Sequence, residues 1–329
     1  MACGSSAASR RSSGWRNSMS STALARCLSA RSRRRSTRSS RRSRMATRKR
    51  KLHYPRKWSW PGGAKICVSL NMALESFVRA SQVTLEKTSN KVDHFSLTYA
   101  EYAYKSGVWR LMDLMDELKI KGSCSTNGLT GERHPQIVRQ LAAYGVEIVG
   151  HAWAQDVTAK DDDPQAELEE MRKVTRVLTE AAGTRPIGWV SQGSAMTGNT
   201  LDFLKHEGYL WSGDDMSDDI PFLKETKHGP MVVLPRVNLP HNDLWMWATT
   251  RTPPDFMWQN WKATFDQLYA EGEAGYPKWC ELTLHAHMGA RPTLIPVARQ
   301  MLQYAKKHKG VWFARRRDIA EWTMKHETR

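Results

Sequence analysis

Short apolar runs alternate with amphipathic helical stretches along the chain from about residue 60 onward. The run at 66–71 has the length of a buried strand, and the stretch 108–120 places its large apolar side chains on one helical face. Further strands are expected at 123–127, 146–150, 186–191, 209–212, 231–235 and 280–285, with helices at 135–144, 164–182, 200–207, 257–269 and 294–307. Because strands that alternate with helices form parallel βαβ units, the pattern predicts an α/β barrel.

The first 57 residues lack this pattern and are rich in Ser and Arg. Of the 50 Lys and Arg residues, 15 lie within residues 1–50, which contain no Asp or Glu, so the remainder carries 35 basic against 33 acidic residues. The net charge of +17 therefore belongs to a tail at 1–57, and residues 58–329 are expected to form one nearly neutral domain. Since a domain that grips phosphates carries its charge on the fold, we expect no nucleic-acid binding by this domain.

Three interpretations of the tail remain open. Its composition is typical of a mitochondrial presequence, which would place the protein in the matrix, and also of a basic arm that binds nucleic acid. Alternatively, translation starts at Met45, and the residues before it are a start-site error.

Apolar length and cysteine usage limit where the protein acts. No apolar stretch approaches the roughly 18 to 20 residues of a membrane span, so no membrane association is expected. The five cysteines include no CxxC pair. This usage is typical of reduced thiols and favours a cytoplasmic protein, unless the tail is a presequence.

Polar side chains stand where several predicted strands end, at the edge where barrel enzymes carry their chemistry. His151 follows one strand, and His285 closes another. Either histidine alone is also compatible with a structural role, but two at strand ends favour a shared site. Glu75 is the carboxylate nearest to the end of the first strand, although a surface loop would accommodate it equally well.

Two later segments are rich in acids and amides. Residues 214–219 hold four aspartates, including Asp215, and form either a solvated loop or a site with a shifted acid or a bound cation. Asn242 and Asp243 indicate either a capped turn or a site that recognises N–H and C=O groups of a ring.

A series of short motifs runs through residues 60–325 in one order. They are Asn71, 107–114, 127–128, 132–135, 145–151, 184–189, 214–219, 239–243, 284–285 and 289–292. This order resembles the polysaccharide deacetylase (NodB-homology) family, and in particular its branch of metal-independent allantoinases and cyclic-imide hydrolases. The resemblance implies a distorted (β/α)7-type barrel, a small-molecule substrate, hydrolysis of an amide or acyl bond, and assembly into homo-oligomers.

The sequence departs from the standard zinc deacetylases of this family at three places. The Asp-Asp pair after the first strand is replaced by the segment 71–75, and the His-x-x-x-His motif ends in Gln155 instead of a second histidine. The Arg-x-Pro motif is replaced by the segment 190–192. Because a catalytic zinc needs three protein ligands, no cofactor is expected, although a weakly held zinc remains open.

Hydrolysis without a metal requires a base, donors for the oxyanion and an acid for the leaving nitrogen. We expect Glu75 to be the base, and His285 to be the acid or the oxyanion partner. His151 is expected to be the third catalytic residue, donating a hydrogen bond to a substrate carbonyl. The residues expected to bind substrate are Asn127, Gln155, Asp215, Asn242 and Asp243, with Arg291 pairing with an anionic substituent.

Three classes of function follow from these residues. The first is a hydrolase of non-peptide C–N bonds in a cyclic amide, ureide or imide. The second is a metal-dependent N- or O-deacetylase of a saccharide, and the third is a relative without catalytic activity.

Overall fold

The strands form one mixed sheet, parallel except for one antiparallel pair. The structure is a computed structural model that describes residues 54, 56–81, 92–158, 162–236, 242–249 and 252–327, with no side chains described at 247–249, so the predictions for residues 1–53, including a start at Met45, lie outside it. Within these ranges nine strands form the sheet: β1 Ile66–Leu74, β2 Ser123–Thr126, β3 Glu147–Gly150, β4 Gly188–Trp189, β5 Trp211–Ser212, β6 Phe222–Thr226, β7 Gly229–Val233, β8 Lys278–His285 and β9 Val311–Phe313. Their order is β6-β7-β5-β4-β3-β2-β1-β8, with β9 paired to β1.

Helices connect the parallel strands. They are α1 His94–Tyr102, α2 Val108–Leu118, α3 Gly128–Arg133, α4 Pro135–Tyr144, α5 Pro164–Ala182, α6 Thr200–His206, α7 Pro254–Glu273, α8 Ile295–Lys306 and α9 Arg316–His326. Segments with π-helical geometry lie at Ala103–Gly107 and Leu244–Thr249, and single 3-10 turns at Pro61–Gly63 and Gln192–Ser194. The predicted α/β barrel of the distorted type is confirmed.

Strand register brings the candidate residues to one level of the barrel. Ala73 of β1 pairs with His285 of β8, and Leu74 pairs with Thr126 of β2. Thr126 in turn pairs with Gly150 of β3. The residues that follow these pairs therefore meet at the carboxyl edge of the sheet, where the chemistry of a parallel barrel is expected.

The helix predictions hold where a proline starts and a glycine ends the pattern. Helix α4 begins at Pro135 and is closed by Gly145, whose φ of 92° lies in the left-handed region, and α5 begins at Pro164 and is closed by Gly183. The antiparallel strand β6 was not predicted, because its side chains are exposed or half-buried and form no apolar run. Strand β9 and helix α9, near the C-terminus, were missed as well.

The core lies on both faces of the sheet. One apolar cluster packs the helices against β1, β2, β3 and β8, and a second joins Trp60 and Trp211 to Ile319 of α9. Three cysteines, Cys67, Cys124 and Cys280, are buried free thiols. No helix in the described part of the chain is both long and apolar enough to cross a bilayer.

Candidate active site

A cavity of about 380 Å³ opens at the carboxyl ends of the strands. Five of the residues singled out in the sequence line it: Glu75, His151, Gln155, Asn242 and His285. Asn71, the first of the sequence motifs, lines it as well, and so do Ser125, Ser194, Arg236, Glu281, Thr283 and Arg316, none of which was predicted as a site residue.

The Glu75 carboxylate lies between the two strand-end imidazoles. Its Oε1 is 3.3 Å from Nε2 of His285 and 3.5 Å from Nε2 of His151. The Glu75 side chain is 1% exposed, and its second oxygen, Oε2, has no hydrogen-bond partner among the residues that the structure describes. A buried carboxylate with a free oxygen at a cavity is well placed to hold a water molecule or a polar substrate group.

Asp243 fixes the orientation of His285. Its Oδ1 is 2.6 Å from Nδ1 of His285, and its Oδ2 accepts from the His285 backbone N–H at 2.8 Å. A Cβ at Gly289 would lie 2.3 Å from Oδ2 of Asp243, so only glycine leaves room for this carboxylate. The imidazole of His285 thus faces one carboxylate on each of its nitrogens.

His151 is held by backbone groups at the end of β3. Its Nδ1 donates to the Val190 carbonyl at 2.6 Å, which leaves Nε2 directed at the cavity. A Cβ at Gly150 would meet the Trp189 ring at 2.5 Å, and Ala152 on the other side has a φ of 54°. The strained turn after His151 is of the kind that accompanies functional sites.

The electrostatics of this cluster favour an ion pair. Burial by itself would raise the pKa of Glu75, but the charge of His285 and the hydrogen bonds from His151 and His285 hold that pKa well below its usual range. Burial opposes a charged imidazole at His285, yet the carboxylates of Glu75 and Asp243 raise its pKa to about 10. Glu75 is therefore a carboxylate and His285 an imidazolium near neutral pH.

Four of the predicted substrate-binding residues lie outside the cavity lining. Asn127 accepts from the Ser76 N–H at 2.9 Å and donates to the His151 carbonyl, so it supports the turn that carries His151. Asp215 accepts from the Ser217 N–H within its own loop. The sequence interpretation of these two residues as substrate ligands is not supported by their positions.

Arg291 and Asp243 also take other positions than expected. The guanidinium of Arg291 donates to the carbonyls of His287 and Tyr99 and stacks on Tyr99 and Tyr102. Asp243 orients His285 and does not face the cavity. Spacing along the chain placed both residues near the site, but their side-chain directions could not be predicted from it.

Glu281 and Arg316 form the polar floor of the cavity. Nε and Nη2 of Arg316 each lie 2.7 Å from a Glu281 oxygen, and its Nη1 contacts Ser125 at 3.2 Å. The alternation of Glu281, Thr283 and His285 on β8 was a sequence signal for one shared face. Arg316 carried no such signal, because it follows the unpredicted strand β9.

The donor set does not fit a tightly bound zinc ion. Gln155 stands where the resemblance implied a second histidine ligand, and Glu75 is already paired with two imidazoles. Within the described ranges, no group of three or more His, Cys, Asp or Glu side chains is arranged to hold a metal.

Sequence comparison finds similarity to polysaccharide deacetylases. The family model for polysaccharide deacetylase matches residues 87–210. A curated protein of Schizosaccharomyces pombe, named "Putative polysaccharide deacetylase", is 25% identical over 246 residues, which cover 69% of this chain and 75% of that protein.

Comparison of structures agrees with the sequence match. The crystal structure of PuuE allantoinase is 28% identical, with a TM-score of 0.75 over 84% of this chain and all of the other. A "probable Polysaccharide deacetylase" from Pseudomonas aeruginosa PAO1 is 29% identical, with a TM-score of 0.73 over 82% of this chain and 95% of the other. The chain is thus similar both to an allantoinase and to proteins described as polysaccharide deacetylases.

Proposed function

We propose that this chain, which is similar to the polysaccharide deacetylase (NodB-homology) family over residues 87–210, is a hydrolase that splits a C–N bond of a cyclic amide, ureide or imide without a metal. The similarity to an allantoinase supports a cyclic substrate. The observation that carries the proposal is the Glu75 carboxylate, paired with two imidazoles through Oε1 and free at Oε2. A small-molecule substrate also suits a cavity of about 380 Å³.

Glu75 acts first, as the base. Its free Oε2 holds the attacking water and takes a proton from it, while the hydroxide forms a bond to the carbonyl carbon. The carbonyl oxygen gains a negative charge in this step. Asn242 can stabilise that charge, because its Oδ1 accepts from the Leu244 N–H at 2.9 Å and its amide N–H groups remain as donors.

His285 then acts as the acid. Its Nε2 gives a proton to the leaving nitrogen as the C–N bond breaks, and Asp243 keeps the imidazole oriented through Nδ1. The proton that Glu75 took from water on Oε2 then passes through a water molecule to Nε2 of His285, whose direct contact with Glu75 is to Oε1 at 3.3 Å. The low pKa of Glu75 and the high pKa of His285 favour this transfer, which restores the starting state.

The substitution Glu75→Gln tests this assignment. The amide keeps the size of the side chain but cannot take a proton, so we expect kcat to fall by about 10² to 10⁴. Glu170→Gln is a matched control, because Glu170 is a partly buried carboxylate that contacts the Trp153 N–H at 3.3 Å outside the cavity. Turnover by Glu75→Gln within about threefold of the parent protein would exclude Glu75 as the base.

A second candidate is a metal-dependent N- or O-deacetylase acting on a saccharide, which the family match over residues 87–210 favours. A panel of cyclic ureides, imides and acetylated sugars, assayed with and without a chelator, separates the two. Ring opening that survives the chelator supports the metal-free C–N hydrolase. Deacetylation that the chelator abolishes, together with stoichiometric zinc in elemental analysis, supports the deacetylase. Turnover of no compound in the panel would favour a relative without activity.

A further inference from the structure

Two arginines line the cavity, and they differ in how fully carboxylates of the protein pair with their charges. Arg316 makes a bidentate ion pair with Glu281, with both N–O distances at 2.7 Å, and its side chain is 4% exposed. Within the protein, Glu281 therefore balances the charge of Arg316 and accepts two of its N–H groups. Arg236, which follows β7, lacks such a pair.

Most contacts of Arg236 are to neutral groups. Its Nε donates to the Gly213 carbonyl at 3.0 Å, its Nη1 to Oγ of Ser194 at 2.6 Å, and its Nη2 reaches the Ser191 carbonyl at 3.5 Å. The carboxylate of Asp214 lies 3.7 Å away, and both of its oxygens accept instead from the Ser191 N–H. A guanidinium has five N–H groups, so one on each terminal nitrogen has no acceptor among the described residues.

The other carboxylates at the cavity are already paired. Glu281 is held by Arg316, and Glu75 lies between the imidazoles of His285 and His151. Neither carboxylate accepts the remaining N–H groups of Arg236. A half-buried cation with two free donors at a substrate cavity is a binding site for an anionic group.

The loop beside Arg236 is shaped for this contact. Gly193 and Ser194 have φ angles of 56° and 61°, and both line the cavity. The left-handed backbone conformation at Ser194 is strained. The loop keeps this conformation while Oγ of Ser194 accepts a hydrogen bond from the Arg236 guanidinium. Such strained clamps are typical of segments that position a ligand-binding side chain.

We propose that Arg236, held by Ser194, determines specificity by binding a carboxylate substituent of the substrate ring, separate from the C–N bond that is split. The inference rests on the proposed function, because it assumes a cyclic amide or ureide as the ring. The role that the sequence suggested for Arg291 thus falls to Arg236, since Arg291 lies outside the cavity lining.

Two rings that differ only in a carboxylate test the proposal: 5-methylhydantoin and hydantoin-5-acetic acid. We expect calorimetry to show that the parent protein binds the acid about 10- to 100-fold more tightly than the neutral ring, as for a hydrogen bond to a charged group. Arg236→Gln should reduce this preference to about twofold or less. Arg291→Gln, which removes a half-buried guanidinium outside the cavity, should retain it.

The proposal would be overturned, without any variant, if the parent protein bound both rings with equal affinity or bound neither ring. A preference that survives Arg236→Gln would overturn it as well. If Arg236→Gln does not fold, Arg236→Lys takes its place. This variant keeps the positive charge but cannot bind a carboxylate through two parallel N–H groups, so the preference for the acid should fall at least threefold. Turnover is measured separately: an acid that binds preferentially but is not hydrolysed contradicts the proposed function while supporting this inference.

Discussion

The Glu75 carboxylate remains charged in a buried position because two imidazoles surround it. Its side chain is 1% exposed, and the nearest partners are Nε2 of His285 and of His151. Desolvation would otherwise favour the neutral acid. The contacts of Glu75 with both imidazoles, and that of His285 with Asp243, therefore decide the protonation of Glu75 and His285 and with it their roles as base and acid.

The pH dependence of stability tests the charge on His285. Because the folded-state pKa of about 10 exceeds the ordinary value of 6.5, the stabilisation is complete below pH 6.5 and is lost as pH rises through 10. The free energy of unfolding of the parent protein should thus exceed that of His285→Gln most at pH 6.5, and the difference should shrink toward pH 10. Urea titrations at pH 6.5, 8 and 10 measure it, and a constant difference would contradict an imidazolium.

Gly289 tests the role of Asp243 without changing a charged residue. In Gly289→Ala the new methyl group would lie 2.3 Å from the Asp243 carboxylate and 2.9 Å from Leu284, so the carboxylate must move away from His285. We expect kcat to fall at least about tenfold, and the free energy of unfolding by about 1 to 3 kcal/mol from overpacking. Gly198→Ala is the control, since its Cβ would meet nothing within 4 Å. Unchanged kcat in Gly289→Ala would show that the position of Asp243 is unimportant.

At the scale of elements, strand β8 and helix α9 build the floor of the site together. Glu281, Thr283 and His285 alternate along β8, and Arg316 is the first residue of α9. The ion pair between Arg316 and Glu281 joins the two elements inside the barrel. Loss of one partner leaves the other charge buried and unpaired.

Glu281→Gln should therefore lower the free energy of unfolding by about 3 to 5 kcal/mol. The double variant Glu281→Leu/Arg316→Met should be less destabilised, because it removes both charges and fills the space with apolar atoms. Chemical denaturation of both variants measures the difference. The exposed pair of Arg299 and Glu117 is the control, where Glu117→Gln should cost under about 1 kcal/mol. A double variant less stable than Glu281→Gln would contradict this account.

At the scale of the whole molecule, the N-terminal boundary can be tested by truncation. A protein that starts at Met45 should melt at the same temperature as the full chain, because a Ser/Arg-rich segment contributes little to a core. A start at Gly62 should lower the melting temperature by several degrees, since it removes Trp60, which is 2% exposed and donates to the Lys278 carbonyl at 2.9 Å. A large fall in the protein that starts at Met45 would refute the tail assignment.

Sequence pattern alone determined the strand–helix alternation and the strand ends at which polar residues lie. Strands β1 and β8, the helices α4 and α5, and the positions of Glu75, His151 and His285 follow from apolar period and from Pro and Gly signals, which are local properties of the chain. Elements without such a local signal were missed, among them the exposed strand β6.

Only the tertiary structure decided which side chains share the cavity. Parallel register aligned the ends of β1, β3 and β8, so that Glu75 contacts both histidines, but the direction of each neighbouring side chain depends on packing between distant segments. Asp243 faces His285 because Gly289 leaves room for it, and Arg236 rather than Arg291 reaches the cavity. Sequence spacing carries information on period and chain order, whereas contacts between segments far apart in the chain are set by the strand order of the sheet and by packing.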